Sequence, residues 1–255
     1  MTKSCEEIKT WMEKNKLCLN ADKTKLIVSG TSQRLKQLDA NQINVEIGGE
    51  KIVDYEKSEK LLGIYVQSNL KWSTQVNEII KTIKKRLSAL VKIRDIAPIK
   101  IRKMLYEGIF LSILTYCISV WGGLSKHELE DLQILQNKAV RVVLKLPPRS
   151  NRHEMFKEAG FMTVKQLIFY HTVRNVFKIR MAKEPEYLYD KFKIENIRGN
   201  VVIQNTKLKL ARNGFVFRGS ENWNSLPHEI RQLKQLSVFK TRVKEWILKN
   251  IPQFP

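Results

Sequence analysis

Any chemistry in this chain must come from its carboxylates, histidines, cysteines or surplus basic side chains, and their spacing limits each. Two-metal phosphoryl transfer needs paired carboxylates, because two cations must share oxygens to activate a hydroxyl and stabilise a leaving group. The aspartates, Asp22, Asp39, Asp54, Asp95, Asp131 and Asp190, are scattered with no Asp-Asp pair. None is expected at a hairpin tip after an aromatic residue. His127, His153, His171 and His228 are far apart and have no cysteine at metal-ligand spacing. Cys5, Cys18 and Cys117 form no CxxC and leave an odd thiol over, which points to a reducing compartment instead of a disulfide framework. Gly48-Gly49 and Gly122-Gly123 are isolated pairs, so no glycine-rich phosphate loop is present. No serine or cysteine has an identifiable positioned base. No metal or cofactor is expected in this chain.

The basic residues remain. Lys and Arg number 46 against 25 acids, a formal net charge of +21 with a pI near 9.9. Such an imbalance repels itself in a compact fold and attracts polyanions at long range. Nucleic acid is the leading partner class; an anionic membrane surface and a ribosome are the rivals. Membrane insertion is not expected, because the longest apolar stretch, around residues 109–120, is too short and too polar to span a bilayer. The N-terminus has no apolar h-region, so an intracellular protein of nucleus or cytoplasm, not a secreted one, is expected.

The elements that must position these charges can be read from periodicity. Ser4-Cys5-Glu6-Glu7 fits a capping box for a short helix carrying Ile8, Trp11 and Met12. Strands are expected at Lys25–Val28, at a hairpin through Ile43, Val45, Ile47, Gly48-Gly49, Ile52 and Val53, and at Lys60–Val66. One helix over such strands makes an incomplete sheet. After Trp72 the pattern is helical: Val76, Ile79, Ile80, Ile83, Leu87, Leu90 and Val91 recur on one face, with Lys81, Lys85 and Lys92 opposite. Pro98 opens a helix towards Tyr116. Ser125 and Glu128 form a capping box for another, with Leu129, Leu132, Gln136, Ala139 and Val143 on one side. Lys138, Arg141 and Lys145 lie on its other side, and Pro147-Pro148 ends it. Helices are predicted at about 153–159, 163–182 and 226–234, and a last one carries Leu236, Phe239, Val243, Trp246 and Ile247. The stretch from about 193 to 222 is the least regular. Trp72, Tyr116, Trp121, Trp223 and Trp246 fall mostly at apolar positions and read as core.

Two basic rows follow from this layout. The first is Lys81, Lys84, Lys85, Lys92 and Arg94, with Asp95 as its one expected nearby acid. The second is Lys138, Arg141, Lys145, Arg149 and Arg152. Either row could track a phosphate backbone, although each lysine taken singly fits a plain solvated position.

Four segments together resemble LINE-type (non-LTR) retrotransposon reverse transcriptases, of the jockey-like or CR1-like kind. WMEKNKLCLNADKTKLIV resembles the segment downstream of the polymerase carboxylates, through Trp11, Asn15, Leu17, Leu19, Asn20, Lys23 and Thr24. EKLLGIYVQSNLKWSTQVNEIIKTIKKRLSALVKI resembles the Leu-Gly turn of the primer grip leading into the thumb. LTYCISVWGG and LEDLQILQNKAVRVVLKLP are similar to the helices that follow, and NWNSLPHEIRQLKQLSVFKTRVKEWIL to the family's C-terminal tail. The resemblance implies that Lys23 approaches the leaving pyrophosphate and that Leu62 and Gly63 form the primer grip. A solvated lysine at a turn and a glycine at a strand bend fit the same residues. It implies an α+β fold, predominantly α: a small antiparallel sheet remnant of the palm over 1–70, a thumb-like region over 71–148, and a C-terminal helical region over 149–255. It also implies that the family's carboxylates, which hold Mg²⁺ in the intact enzyme, lie upstream of Trp11, so this chain should not polymerise. Non-catalytic binding of RNA or an RNA–DNA duplex is the leading expectation. An inert or regulatory fragment, and a module binding a complementing polymerase fragment, are the alternatives.

Overall fold

The computed structural model describes residues 2–18, 20, 23–37, 45–47, 50–52, 57–194 and 199–251. The fold is α+β and predominantly helical, with small antiparallel β-hairpins confined to the first part of the chain. The chain divides into two compact units, Met1–Gln75 and Val76–Pro255.

In the first unit, α1 (Thr2–Lys14) begins before Ser4, so Ser4 and Glu7 lie inside the helix and do not cap it. A short α2 (Ser32–Lys36) is capped by the Thr31 hydroxyl, which accepts from the Arg34 amide. β1 (Val45–Ile47) pairs antiparallel with β2 (Glu50–Ile52), the hairpin that alternation predicted; Ile43, Gly48, Gly49 and Val53 lie outside the described residues. The expected strand at Lys25–Val28 does not form beyond a single bridging residue, Leu26. The expected single strand Lys60–Val66 is instead two, β3 (Ser58–Leu61) and β4 (Ile64–Gln67), folded back on each other around Leu62-Gly63. Two paired hairpins, each only two strands wide, bury little. Val45 and Ile64 are the buried apolar residues among the described ones of this unit, while Ile8 and Trp11 are 56% and 60% exposed.

Two-stranded ribbons are marginal in water, and opening free energy follows local burial. Amides of Leu61 and Ile64–Val66 should therefore exchange at least about tenfold faster than those of Ile79–Leu90, a gap of ~1.4 kcal/mol. Equal protection in a native-state exchange experiment would contradict this gradient.

α3 (Ser73–Lys92) crosses from the first unit into the second. In the second unit, α4 (Ile99–Leu105) follows Pro98 and runs through a π-helical segment (Tyr106–Leu111) into α5 (Ser112–Thr115). The chain turns at Cys117, in the left-handed region, into α6 (Ile118–Trp121). Gly123 permits the close approach there, since a Cβ would run into the Asn213 carbonyl. α7 (Lys126–Leu144) has the predicted capping box, Ser125 and Glu128 each satisfying the other's backbone amide. α8 (Arg152–Ala159) and α9 (Val164–Ala182) follow, the latter opened by a second box of Thr163 and Gln166.

α9 is the organising helix. It packs on α6, α7, α12 (Phe215–Asn224) and α14 (Leu236–Asn250). Phe239 of α14 lies between Phe177 at 4.2 Å and Trp223 at 5.9 Å between ring centroids, both stacked. α10 (Glu186–Tyr189), a 3₁₀ turn (Asp190–Phe192), α11 (Lys209–Arg212) and α13 (His228–Arg231) are single turns linking the longer helices. The 193–222 stretch is thus more regular than its composition suggests, because α12 occupies its end. Gly219 sits where a Cβ would touch Phe192 and Val176 at 3.0 Å. Of the aromatic residues expected in the core, Trp121 and Trp223 are fully buried, Trp72 and Trp246 partly, and Tyr116 is exposed.

A polar seam fixes α7 against its neighbours. Buried Gln136 donates to the Tyr106 hydroxyl at 3.0 Å and to the Met162 carbonyl at 2.9 Å. Gln133 donates to Gln136 and Asn137, and its carbonyl oxygen accepts from the Val164 amide at 2.9 Å. Burial pushes the Tyr106 phenol well above its usual range, so it stays a neutral partner in this network.

Candidate nucleic-acid interface

Helical spacing decides which lysines of α3 face water. Val76, Ile79, Ile83 and Leu90 are buried, at 4% exposure or less, and Ile80 and Leu87 are partly so. At 3.6 residues per turn this sets Lys81, Lys85 and Lys92 within about 40° of one another on the opposite side, and all three are exposed. Lys84 and Arg86 are exposed on the flanks; Val91, expected on the core side, is 49% exposed. The stripe runs about 16 Å from Lys81 to Lys92, at 1.5 Å per residue. That spans roughly five nucleotide steps of one duplex strand. One correction concerns its acids: Glu78 as well as Asp95 accompanies the row, its carboxylate 3.6 Å from the Lys81 ammonium. With both partners well exposed, that pair is screened and holds Lys81 weakly.

The second row is narrower than expected. α7 is buried around most of its circumference, Leu132, Gln133, Leu135, Gln136, Asn137, Ala139, Val140 and Val143 all being inside. Its outward stripe is exposed Ile134 and Lys138, then half-buried Arg141, whose Nε is shielded and has no hydrogen-bond partner. Lys145 is the left-handed C-cap of α7. From there its ammonium reaches the Asp95 carboxylate at 3.9 Å and the Asp95 carbonyl at 3.4 Å. Arg94 approaches the same carboxylate at 3.8 Å, an ion pair too long for a hydrogen bond. The ends of the two rows therefore meet at Asp95, a single acid between two cations. Arg149 and Arg152 are exposed beyond them.

A residue that sequence reasoning missed holds this junction. Arg102 of α4 is 5% exposed and, among the described residues, forms no ion pair with a carboxylate. Its guanidinium donates to the Val143 carbonyl at the end of α7 (2.7 Å), and to the Arg94 and Ala97 carbonyls of the α3–α4 turn (3.1 and 2.5 Å). One planar fork thus satisfies the Val143 carbonyl, left without an intrahelical amide partner at the end of α7, together with two carbonyls of the α3–α4 turn. In a run of Ile99-Lys100-Ile101-Arg102-Lys103, nothing local separates Arg102 from its solvated neighbours.

The motif residues lie in the first unit. Asn20 Oδ1 accepts from the Lys23 amide at 3.0 Å, and its carbonyl accepts from the Thr24 hydroxyl at 2.9 Å. Asn20 thereby closes the turn that presents Lys23 to solvent; Leu19 lies outside the described residues. Leu62 and Gly63 both have positive φ, 47° and 85°, the pattern of a two-residue hairpin turn. Leu62 carries this strain while 84% exposed. Among the described residues no three His, Cys, Asp or Glu side chains converge as metal ligands, and no helix is long and apolar enough to cross a membrane. Asp22, Asp39 and Asp54 lie outside the described residues. His171, half-buried beside Arg174, is held neutral with its pKa lowered to about 4, first by burial and then by that arginine.

Over 149 residues, 57% of this chain, the sequence is 24% identical to a probable RNA-directed DNA polymerase from transposon BS of Drosophila melanogaster. The match spans 16% of that protein's length. The similarity is therefore to the reverse transcriptase of a transposon, of which this chain matches a small part. No family model matches the chain, and no solved structure matches it.

Proposed function

We propose that the chain is the C-terminal portion of a non-LTR reverse transcriptase of the jockey-like or CR1-like kind, and that it binds RNA or RNA–DNA duplex without polymerising. Residues 1–70 are the end of the palm with its primer grip, 71–148 a thumb, and 149–255 a C-terminal helical region. The observation that carries this reading is the exposed stripe Lys81, Lys85 and Lys92 on a helix whose other face is buried. The Leu62-Gly63 turn, exposed and conformationally strained, supports the primer-grip assignment. The parent enzyme's Mg²⁺ ions need paired carboxylates, and the Asp-Asp pair that would hold them is missing from this sequence. Binding occurs inside the cell, in nucleus or cytoplasm.

The test combines two readouts on one preparation made free of host polymerases. A fluorescent RNA–DNA hybrid of about 20 base pairs should bind with little sequence preference, as backbone contacts carry no base information. The same protein should give no template-dependent extension above a no-enzyme blank with Mg²⁺ or Mn²⁺. Extension would overturn the non-catalytic assignment; failure to bind any duplex would overturn the binding one. One observation favours a second reading, docking of a complementing polymerase fragment on the first unit: the exposed apolar side chains of Ile8, Trp11 and Leu17. Duplex binding carried entirely by such a partner would select it.

A further inference from the structure

Away from the α3 stripe, two arginines of the second unit are placed where cations are expensive. Arg180 of α9 lies over the Trp223 ring, its guanidinium carbon 4.6 Å from the centroid. Among the described residues it makes no hydrogen bond, and its buried Nη1 has no acceptor. Arg231, at the end of α13, donates to Asn200 Oδ1, while its Nε is buried without a partner. The same short segment is tied to the end of α12: the Trp223 indole donates to the Gly199 carbonyl at 3.2 Å, and Asn224 exchanges two 2.8 Å hydrogen bonds with Val201. Arg180, Arg231, Trp223 and Asn200 are thus gathered by one loop and three helices. Burial lowers the pKa of Arg180, the Tyr189 phenol offsets part of this, and the positive charge of Arg231 lowers it further. Among the described residues neither arginine is in ion-pair contact with a carboxylate: Glu184, Glu186 and Glu229 are exposed and make none with them, and Asp190 is paired with Lys193 at 2.7 Å.

Two partly desolvated guanidiniums within each other's field, with unfilled donors and no described carboxylate paired with them, are unfavourable as they stand. A tetrahedral oxyanion supplies the missing negative charge and acceptors for the guanidinium nitrogens that are not buried. Arg180 is held by its place over the Trp223 ring, and because the side chain is only partly buried, guanidinium nitrogens other than Nη1 are left to meet an oxyanion. We propose that Arg180 and Arg231, seated on Trp223 and Asn200, form a phosphate-group site. It does not depend on the α3 stripe, and different variants report on the two. The phosphate belongs either to a polynucleotide backbone or to a free anion.

Inorganic phosphate titrated into the full chain at constant ionic strength, with chloride as the balancing anion, tests this directly. The Trp223 indole N–H resonance in ¹H–¹⁵N spectra should shift saturably, and R180Q and R231Q should each weaken the response at least tenfold. K191Q, an exposed neighbour, should leave it unchanged. R231Q alone suffices if R180Q unfolds the Trp223 region. A hybrid duplex that competes with phosphate for the shift assigns the site to a nucleic-acid backbone; a shift with phosphate alone assigns it to a free anion. No saturable shift with either probe would overturn the site, as would a shift untouched by both arginine variants.

Discussion

Replacing Arg102 by Ala should lower stability by about 2–4 kcal/mol, since hydrogen bonds from a charged donor contribute ~1.5–3 kcal/mol each and buried carbonyls left unpaired cost more. For the roughly 180-residue second unit that corresponds to a drop in melting temperature of about 5–15 °C. Three carbonyls, those of Val143, Arg94 and Ala97, lose their donor together. Arg102→Lys keeps a charge but not the fork, and should recover only part of the loss. The consequence extends to binding, because Arg102 fixes the α3–α4 turn against the end of α7 and so the meeting of Arg94 and Lys145 at Asp95. Thermal unfolding of both variants checks this. A fall within about 0.5 kcal/mol for Arg102→Ala, typical of surface sites, would mean that water serves these carbonyls as well.

Lys81, Lys85 and Lys92 changed together to Gln should weaken duplex binding far more than they weaken the fold. Each phosphate neutralised on a duplex releases about 0.9 counterions, so at 0.1 M salt a contact is worth up to about eightfold, and three up to about 500-fold. Stability should move within about ±0.5 kcal/mol per substitution, because all three side chains are exposed. The comparison variant places the same charge change on Lys234, Lys244 and Lys249, also exposed and remote in sequence. A dedicated face requires the α3 triple to lose much more than this control. Equal losses would leave only diffuse attraction to a chain of net charge +21.

The stripe on α3 and the box at Ser125 were legible because each rests on local spacing that packing then reinforced. Where tertiary partners decided, sequence spacing misled. Lys60–Val66 reads as one strand because the apolar run Leu61-Leu62-Gly63-Ile64 masks a turn. Two-residue hairpin turns favour Asn or Gly first, and Leu62 occupies that left-handed position instead. Lys25–Val28 has the composition of a strand but finds no ladder. α12 was hidden by Gly219, Asn222 and Asn224, all poor helix formers, yet burial of Trp223 against Phe239 sustains it. The second basic row looked like an open face because periodicity cannot show that helices surround α7. Arg102, Arg180 and Arg231 were indistinguishable from solvated cations in a sequence holding 46 of them.

The most direct measurement is the salt dependence of wild-type binding to an RNA–DNA hybrid, followed by anisotropy from about 50 to 300 mM KCl. If the α3 stripe and the Arg94–Lys145 junction lie along the phosphates, at least four contacts are made. The plot of log affinity against log salt should then have a slope of about −3.5 or steeper. The slope should flatten by up to about three units in the Lys81, Lys85 and Lys92 triple. A shallow slope near −1 in the wild-type protein, or one the triple leaves unchanged, would contradict duplex binding through these basic faces.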